Sequence, residues 1–111
     1  MNPNHKPVDW LGGEIKTPPM SKEARLKAGF YMRMLQAGES LSMPESRPMP
    51  SIGRGCHELR VSDRNSTWRV IYRVDPEAIL VLEVFQKKTQ QTPKSVIDAC
   101  KRRLSQYDSG R

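Results

Sequence analysis

Hydrophobic spacing changes period along the chain, and each change predicts an element. Val8-Asp9-Trp10-Leu11, with Pro3, Pro7, Pro18 and Pro19 around it and Gly12-Gly13 closing it, predicts an edge strand preceded by a loose arm at residues 1–7. Ser21 can then cap a helix running through Ala37, in which Leu26, Phe30 and Met34 recur every four positions and Met32 and Leu35 widen the stripe. Gly38 supplies its stop. Residues 39–55 carry Pro44, Pro48, Pro50, Gly53 and Gly55, so neither a helix nor a ladder is expected there. A long binding loop fits better, partly pinned by Leu41, Met43, Met49 and Ile52.

Three strand-like runs follow, Cys56 to Val61, Thr67 to Val74 and Ile79 to Phe85. The turn formers Asp63-Arg64-Asn65-Ser66 and Asp75-Pro76-Glu77 separate them, which is the pattern of an antiparallel meander. Thr92 and Pro93 make a cap and first-turn pair for a last helix, with Val96, Cys100, Leu104, Tyr107 and Ile97 on its apolar side. The expected fold is a single α+β domain over residues 1–111. It has a small antiparallel-rich sheet, the N-terminal strand plus the three-strand meander, with the helices packed on one face.

Side chains alternate across a sheet, so each strand can be sorted into two faces if no bulge intervenes. One face collects Leu59, Val61, Trp68, Val70, Tyr72, Val74, Leu80, Leu82 and Val84, and reads as the helix-covered core. The other collects Glu58, Arg60, Arg69, Ile71, Arg73, Ile79, Val81, Glu83 and Phe85, and reads as open.

Composition narrows the function. The formal charge is +7, from 19 Lys and Arg against 12 Asp and Glu, which favours a polyanionic partner through long-range attraction and counterion release. The longest apolar run, Ala78 to Leu82, is far short of the roughly 20 residues of a membrane span. The first residues lack the apolar stretch of a signal peptide, so a cytoplasmic location is expected, with no membrane association. Cys56 and Cys100 have neither the number nor the spacing of a disulfide framework, and with only His5 and His57 beside them no metal site and no cofactor is expected.

Like charges on neighbouring strands repel, so Arg60, Arg69 and Arg73 on one face require either Glu58 and Glu83 or an anion from outside. Phe85 among these cations suits base stacking between phosphate contacts. Such a face matches a ribonuclease in which a 2′-hydroxyl attacks the adjacent phosphorus and arginine forks stabilise the phosphorane. Lys87 and Lys88 follow Phe85, where repulsion from the arginines should lower a lysine pKa toward the range useful for proton transfer. The plain alternative for both is phosphate contact. His57 has the chemistry of a general base, but its parity puts it on the core side.

Glu58-Leu59-Arg60, Trp68-Arg69-Val70-Ile71-Tyr72 and the run Phe85 to Pro93, with Lys87-Lys88-Thr89 at its centre, together resemble the HigB-like, phage Gp49-like branch of the RelE/ParE toxin superfamily over about residues 56–104. The resemblance implies a toxin of a type II toxin–antitoxin system, an mRNA interferase cutting ribosome-bound mRNA. Arg60 and Arg69, with Lys87 and Lys88 at the strand end, would be its catalytic groups; the charged face itself adds Arg73 and Phe85, and the start of the last helix Lys94, as expected nucleic-acid contacts. The resemblance also implies a partner antitoxin, commonly of helix-turn-helix type in this branch. Two alternatives stay open: a ParE-like toxin that inhibits DNA gyrase without cutting RNA, and an inactive relative that keeps only antitoxin binding. Relatives often carry a catalytic group near the chain end, where this sequence offers Tyr107, which also fits the apolar side of the last helix, and Asp108.

Overall fold

The computed structural model describes residues 5–87 and 91–110. Its elements are β1 (Val8–Trp10), α1 (Lys22–Gln36), β2 (Ser46–Pro48), β3 (Cys56–Ser62), β4 (Thr67–Val74), β5 (Ile79–Lys87) and α2 (Lys94–Ser109). The strands form one mixed sheet in the order β1-β5-β4-β3-β2, antiparallel except for the parallel pairing of β1 with β5. The meander of β3, β4 and β5 and the N-terminal edge strand match the sequence expectation. β2 does not: within the stretch expected to hold no ladder, Ser46, Arg47 and Pro48 pair with Leu59, Glu58 and His57. Pro48 is tolerated because β2 is the sheet edge, where a missing N–H breaks no second ladder.

α1 begins where expected, with Ser21 Oγ accepting from Ala24 N at 3.0 Å. Asp63 in the β3–β4 turn anchors that start, since its Oδ2 accepts from Ser21 N and from Trp68 Nε1, each at 3.0 Å. The helix ends on Gly38 at φ +89°, with Gly38 N donating to Leu35 O and Glu39 N to Met34 O, the paired closure that a left-handed residue permits.

The buried stripe of α1 differs from the one the spacing suggests. Ala24, Ala28, Met32 and Leu35 face the sheet, while Leu26 and Phe30 are 53% and 55% exposed. Leu26 lies about 160° round the helix from Ala28. Two alanines on the inner face let the helix axis approach the strands closely, and size-weighted periodicity undervalues them.

The helices also do not share one face. α1 packs on Leu59, Val61, Trp68, Val70, Tyr72, Ile79 and Val81. α2 brings Cys100 and Leu104 against Cys56, Ile71, Leu80 and Leu82 on the other face, where Met49 and Ile52 from the β2–β3 connection complete a second core. The cause is a bulge. Between Ile71 and Tyr72 the β5 partner moves from Glu83 to Val81, skipping Leu82, and this reverses the alternation of the N-terminal half of β5. Ile79 and Val81 therefore turn toward α1, and Leu80 and Leu82 toward α2. The face expected to be open is half covered.

Two measurements check this packing. In urea unfolding, Leu35→Ala should cost about 2–5 kcal/mol, as for a buried leucine, whereas Leu26→Ala should stay within about 0.5 kcal/mol. The hydrogen bonds that Asp63 accepts hold its carboxyl well below the usual carboxylate range, chiefly through the Ser21 backbone N–H. A depressed folded-state pKa stabilises above the unfolded value of about 3.9, and that stabilisation is lost as pH falls. The stability gap between wild type and Asp63→Asn should accordingly narrow as pH is lowered below about 4.

Candidate nucleic-acid interface

Register decides which charged groups meet. On the α2 face, Arg60 of β3 lies opposite Arg69 of β4, and Arg69 lies opposite Phe85 of β5. In a neighbouring row Arg47 of β2 lies opposite Glu58 of β3. α2 covers the Cys56, Leu80 and Leu82 part of this face and leaves these rows beside its N-terminus.

Glu58 is fully buried and organises the cluster. Its Oε1 accepts from Arg47 Nε at 3.1 Å and Lys87 Nζ at 3.5 Å, and stands 3.9 Å from Arg69 Nε. Its Oε2 accepts from the Thr92 hydroxyl at 2.7 Å. A carboxylate out of water needs this many donors, because its desolvation is recovered only through close charge-assisted bonds. Lys87, whose side chain is 1% exposed, also reaches Thr92 Oγ1 at 3.4 Å.

Glu58 cannot satisfy all the cations. Arg69 is 7% exposed, and its Nε and Nη1 have no hydrogen-bond partner. Burial pushes its guanidinium pKa down, Glu58 acts the other way, and Arg60 and Arg47 lower it further. Burial likewise lowers the Lys87 pKa, with Glu58 opposing and Arg47 and Arg69 adding to the shift. Three cations, Arg47, Arg69 and Lys87, thus share one carboxylate, with Arg60 beside Arg69. Buried guanidinium N–H groups without acceptors cost free energy, and an incoming oxyanion would supply the acceptors. Arg60 is exposed, on a surface depression of about 300 Å³ that it shares with Lys27, Tyr31, Glu45, Ser62 and Thr67. Arg47 and Thr92 line an open groove of about 340 Å³ with Met49, Ser51, Gln91 and Ile97.

Not every residue singled out in the sequence joins this cluster. Arg73 lies four residues along β4 from Arg69, about 13 Å. It is gripped from two sides: Nε and Nη2 donate to Asp75 at 2.7 and 3.0 Å, and Nη1 and Nη2 to Asp108 at 3.1 and 2.8 Å. These bonds, first those to Asp108, raise its pKa. Arg73 thereby fastens the end of α2 to the sheet, and Asp108 is its partner there. Glu83 is drawn to α2 as well, by Arg103 Nη1 at 3.2 Å. Phe85 is half-buried against the second core, and Tyr107 packs there too. Lys94 sits exposed on the first turn of α2, bonded to Asp98 at 2.8 Å. His57 stacks on Tyr72 at 5.5 Å on the α1 face, with Nδ1 3.2 Å from Gly55 O, away from the cluster. Lys88 lies outside the described residues.

Two contributors were missed in sequence. Arg47 sits in a three-residue strand between prolines, too short to show alternation. Thr92, expected to cap α2, instead donates its hydroxyl to Glu58, and the N-cap is Pro93 with no side-chain cap bond. Both cysteines are free and buried, and burial raises both thiol pKa values, that of Cys100 to about 12. Among the described residues no group of three or more His, Cys, Asp or Glu is placed to share a metal ion, and no helix is long and apolar enough to cross a membrane.

The family model for phage-derived Gp49-like proteins (DUF891) matches residues 18–105. The chain belongs to the Gp49-like family. The matched span runs from just before α1 to near the end of α2 and takes in every residue of the cationic cluster. No curated protein matches the chain.

Removing the central carboxylate tests the cluster. Glu58→Ala should destabilise the protein by about 3–5 kcal/mol in urea unfolding, because Arg47, Arg69 and Lys87 would be left crowded around an uncompensated buried position. A loss under about 1 kcal/mol would show that the cations are already solvated.

Proposed function

We propose that this chain is the toxin of a toxin–antitoxin pair, a RelE/ParE-type fold of the HigB-like branch acting as an endoribonuclease on ribosome-bound mRNA. Membership of the Gp49-like family supports the toxin reading and, with it, a cognate antitoxin. The observation that carries the nuclease reading is Arg69, a buried guanidinium with two N–H groups lacking acceptors, set among Arg47, Arg60 and Lys87.

In this reading the scissile phosphate enters between Arg60 and Arg69, and their forks stabilise the charge that builds on phosphorus as the 2′-hydroxyl attacks. Lys87, its pKa lowered by burial, delivers a proton to the departing 5′-oxygen, and Glu58 holds its ammonium in place. Phe85, half-buried opposite Arg69 in register, is the aromatic on which a neighbouring base would stack. Lys88 remains a candidate for the second proton transfer. Arg73 is left out of the chemistry, because two carboxylates already engage its fork.

Burial of Lys87 favours a second reading, that of a non-enzymatic or inactive relative, since an ammonium with 1% exposure meets no substrate in this conformation. One set of assays separates the two. Wild type added to a translation reaction should cleave mRNA, and Arg60→Ala and Arg69→Ala should each lower the cleavage rate at least about 100-fold, the scale of losing an oxyanion donor. Because Arg60 is exposed, its variant should keep the wild-type melting temperature. Unchanged cleavage in the Arg60 variant would refute the assignment; gyrase inhibition without RNA cleavage would establish the second reading.

A further inference from the structure

The cationic cluster accounts for only one face of the molecule. On the other, the outward side of α1 carries apolar groups that the core does not use. Trp10, Leu26 and Phe30 are 48%, 53% and 55% exposed. Trp10 and Leu26 stand on either side of a groove of about 310 Å³ between β1 and α1, floored by Val8, Ile15, Gly29 and Met32. The α1 residues lining it run from Arg25 to Gln36, about 16 Å along the helix axis, or three turns. Depth comes from Gly29: a Cβ there would meet only Arg33 Nη1, at 3.6 Å. Glycine inside a helix costs about 0.5–1 kcal/mol relative to alanine, and no fold contact of Gly29 offsets that cost.

Charge specifies what covers this surface. α1 carries Lys22, Arg25, Lys27 and Arg33 against the single acid Glu23, and Arg25 and Arg33 line the groove without an ion partner among the described residues. A second copy of the chain would bring the same cations face to face. An RNA strand would meet the charge but would gain nothing from the aliphatic floor. We infer that the β1–α1 groove docks an amphipathic helix of a partner protein, with apolar anchors seated between Trp10 and Leu26 and carboxylates against Arg25 and Arg33. This deepens the toxin reading, in which the partner is the antitoxin. Because α1 and the Glu58 cluster lie on opposite faces of the sheet, the partner would hold the protein without touching Arg69 or Lys87.

The test uses the full chain with the protein encoded by the adjacent reading frame, co-expressed and co-purified. Three variants perturb the groove and leave the core alone: Leu26→Glu, Arg33→Glu and Gly29→Leu, the last filling the groove. Each should keep the wild-type melting temperature, lower affinity for the co-expressed protein at least 100-fold, and still arrest growth when expressed alone, now without neutralisation. Wild-type affinity in all three variants, or failure of the adjacent-frame protein to co-purify with wild type, would overturn the docking site. Loss of affinity for RNA instead of protein would overturn it too. Wild type that binds its partner through this groove but arrests no growth would sink the toxin reading and leave the groove standing, so the two failures are distinguishable.

Discussion

A carboxylate with no access to water, Glu58, sets the terms for half of this molecule. Its burial is tolerable only because donors arrive from several elements at once: Arg47 from β2, Lys87 from the end of β5, and Thr92 from just before α2. The short edge strand, the end of the meander and the start of the last helix are thereby tied to one point. Arg69 comes close but its Nε and Nη1 gain no hydrogen bond, so the same arrangement that fixes the scaffold leaves a guanidinium with unused capacity. Stability and readiness for an anion come from one imbalance, three cations around a single negative charge.

The sheet separates two kinds of work. The α2 face holds the charged cluster beside a compact apolar patch, and Arg73 and Arg103 fasten α2 to the strands through Asp75, Asp108 and Glu83. The α1 face is apolar at the sheet, with Trp68 and Tyr72 among its buried groups, and basic with exposed rings outside. A five-strand sheet covered on both sides in this way is rigid at its centre, which suits a site whose groups must keep their separation.

Much of this was legible in the sequence. The three meander strands, the two helices and the Gly38 stop follow from period, turn residues and caps, and the structure places them within a residue or two. Arg60 and Arg69 could be put on one face from parity alone, because β3 and β4 pair without interruption; that they lie opposite each other comes from the register. The errors have physical causes. Parity fails wherever a bulge shifts the count, and Leu82 shifts it for half of β5, so Ile79 and Val81 were put on the wrong face. Apolar size misleads on α1, where alanines make the close contact and Leu26 and Phe30 turn outward. Arg47 and Thr92 carry no local signal, since their role exists only once β2 and the start of α2 have been drawn to Glu58.

The bulge at Leu82 leaves β5 with two halves of different parity. Residues before it fill the two cores, while those after it carry Phe85 and Lys87. Both halves reach the interior, the second through Val84, Phe85 and the Lys87–Glu58 contact, and deletion of Leu82 would remove one side chain from the second core while leaving the facing of its neighbours as it is. The extra residue is what lets two successive side chains, Leu82 and Glu83, turn to the α2 layer, one into its core and one onto Arg103.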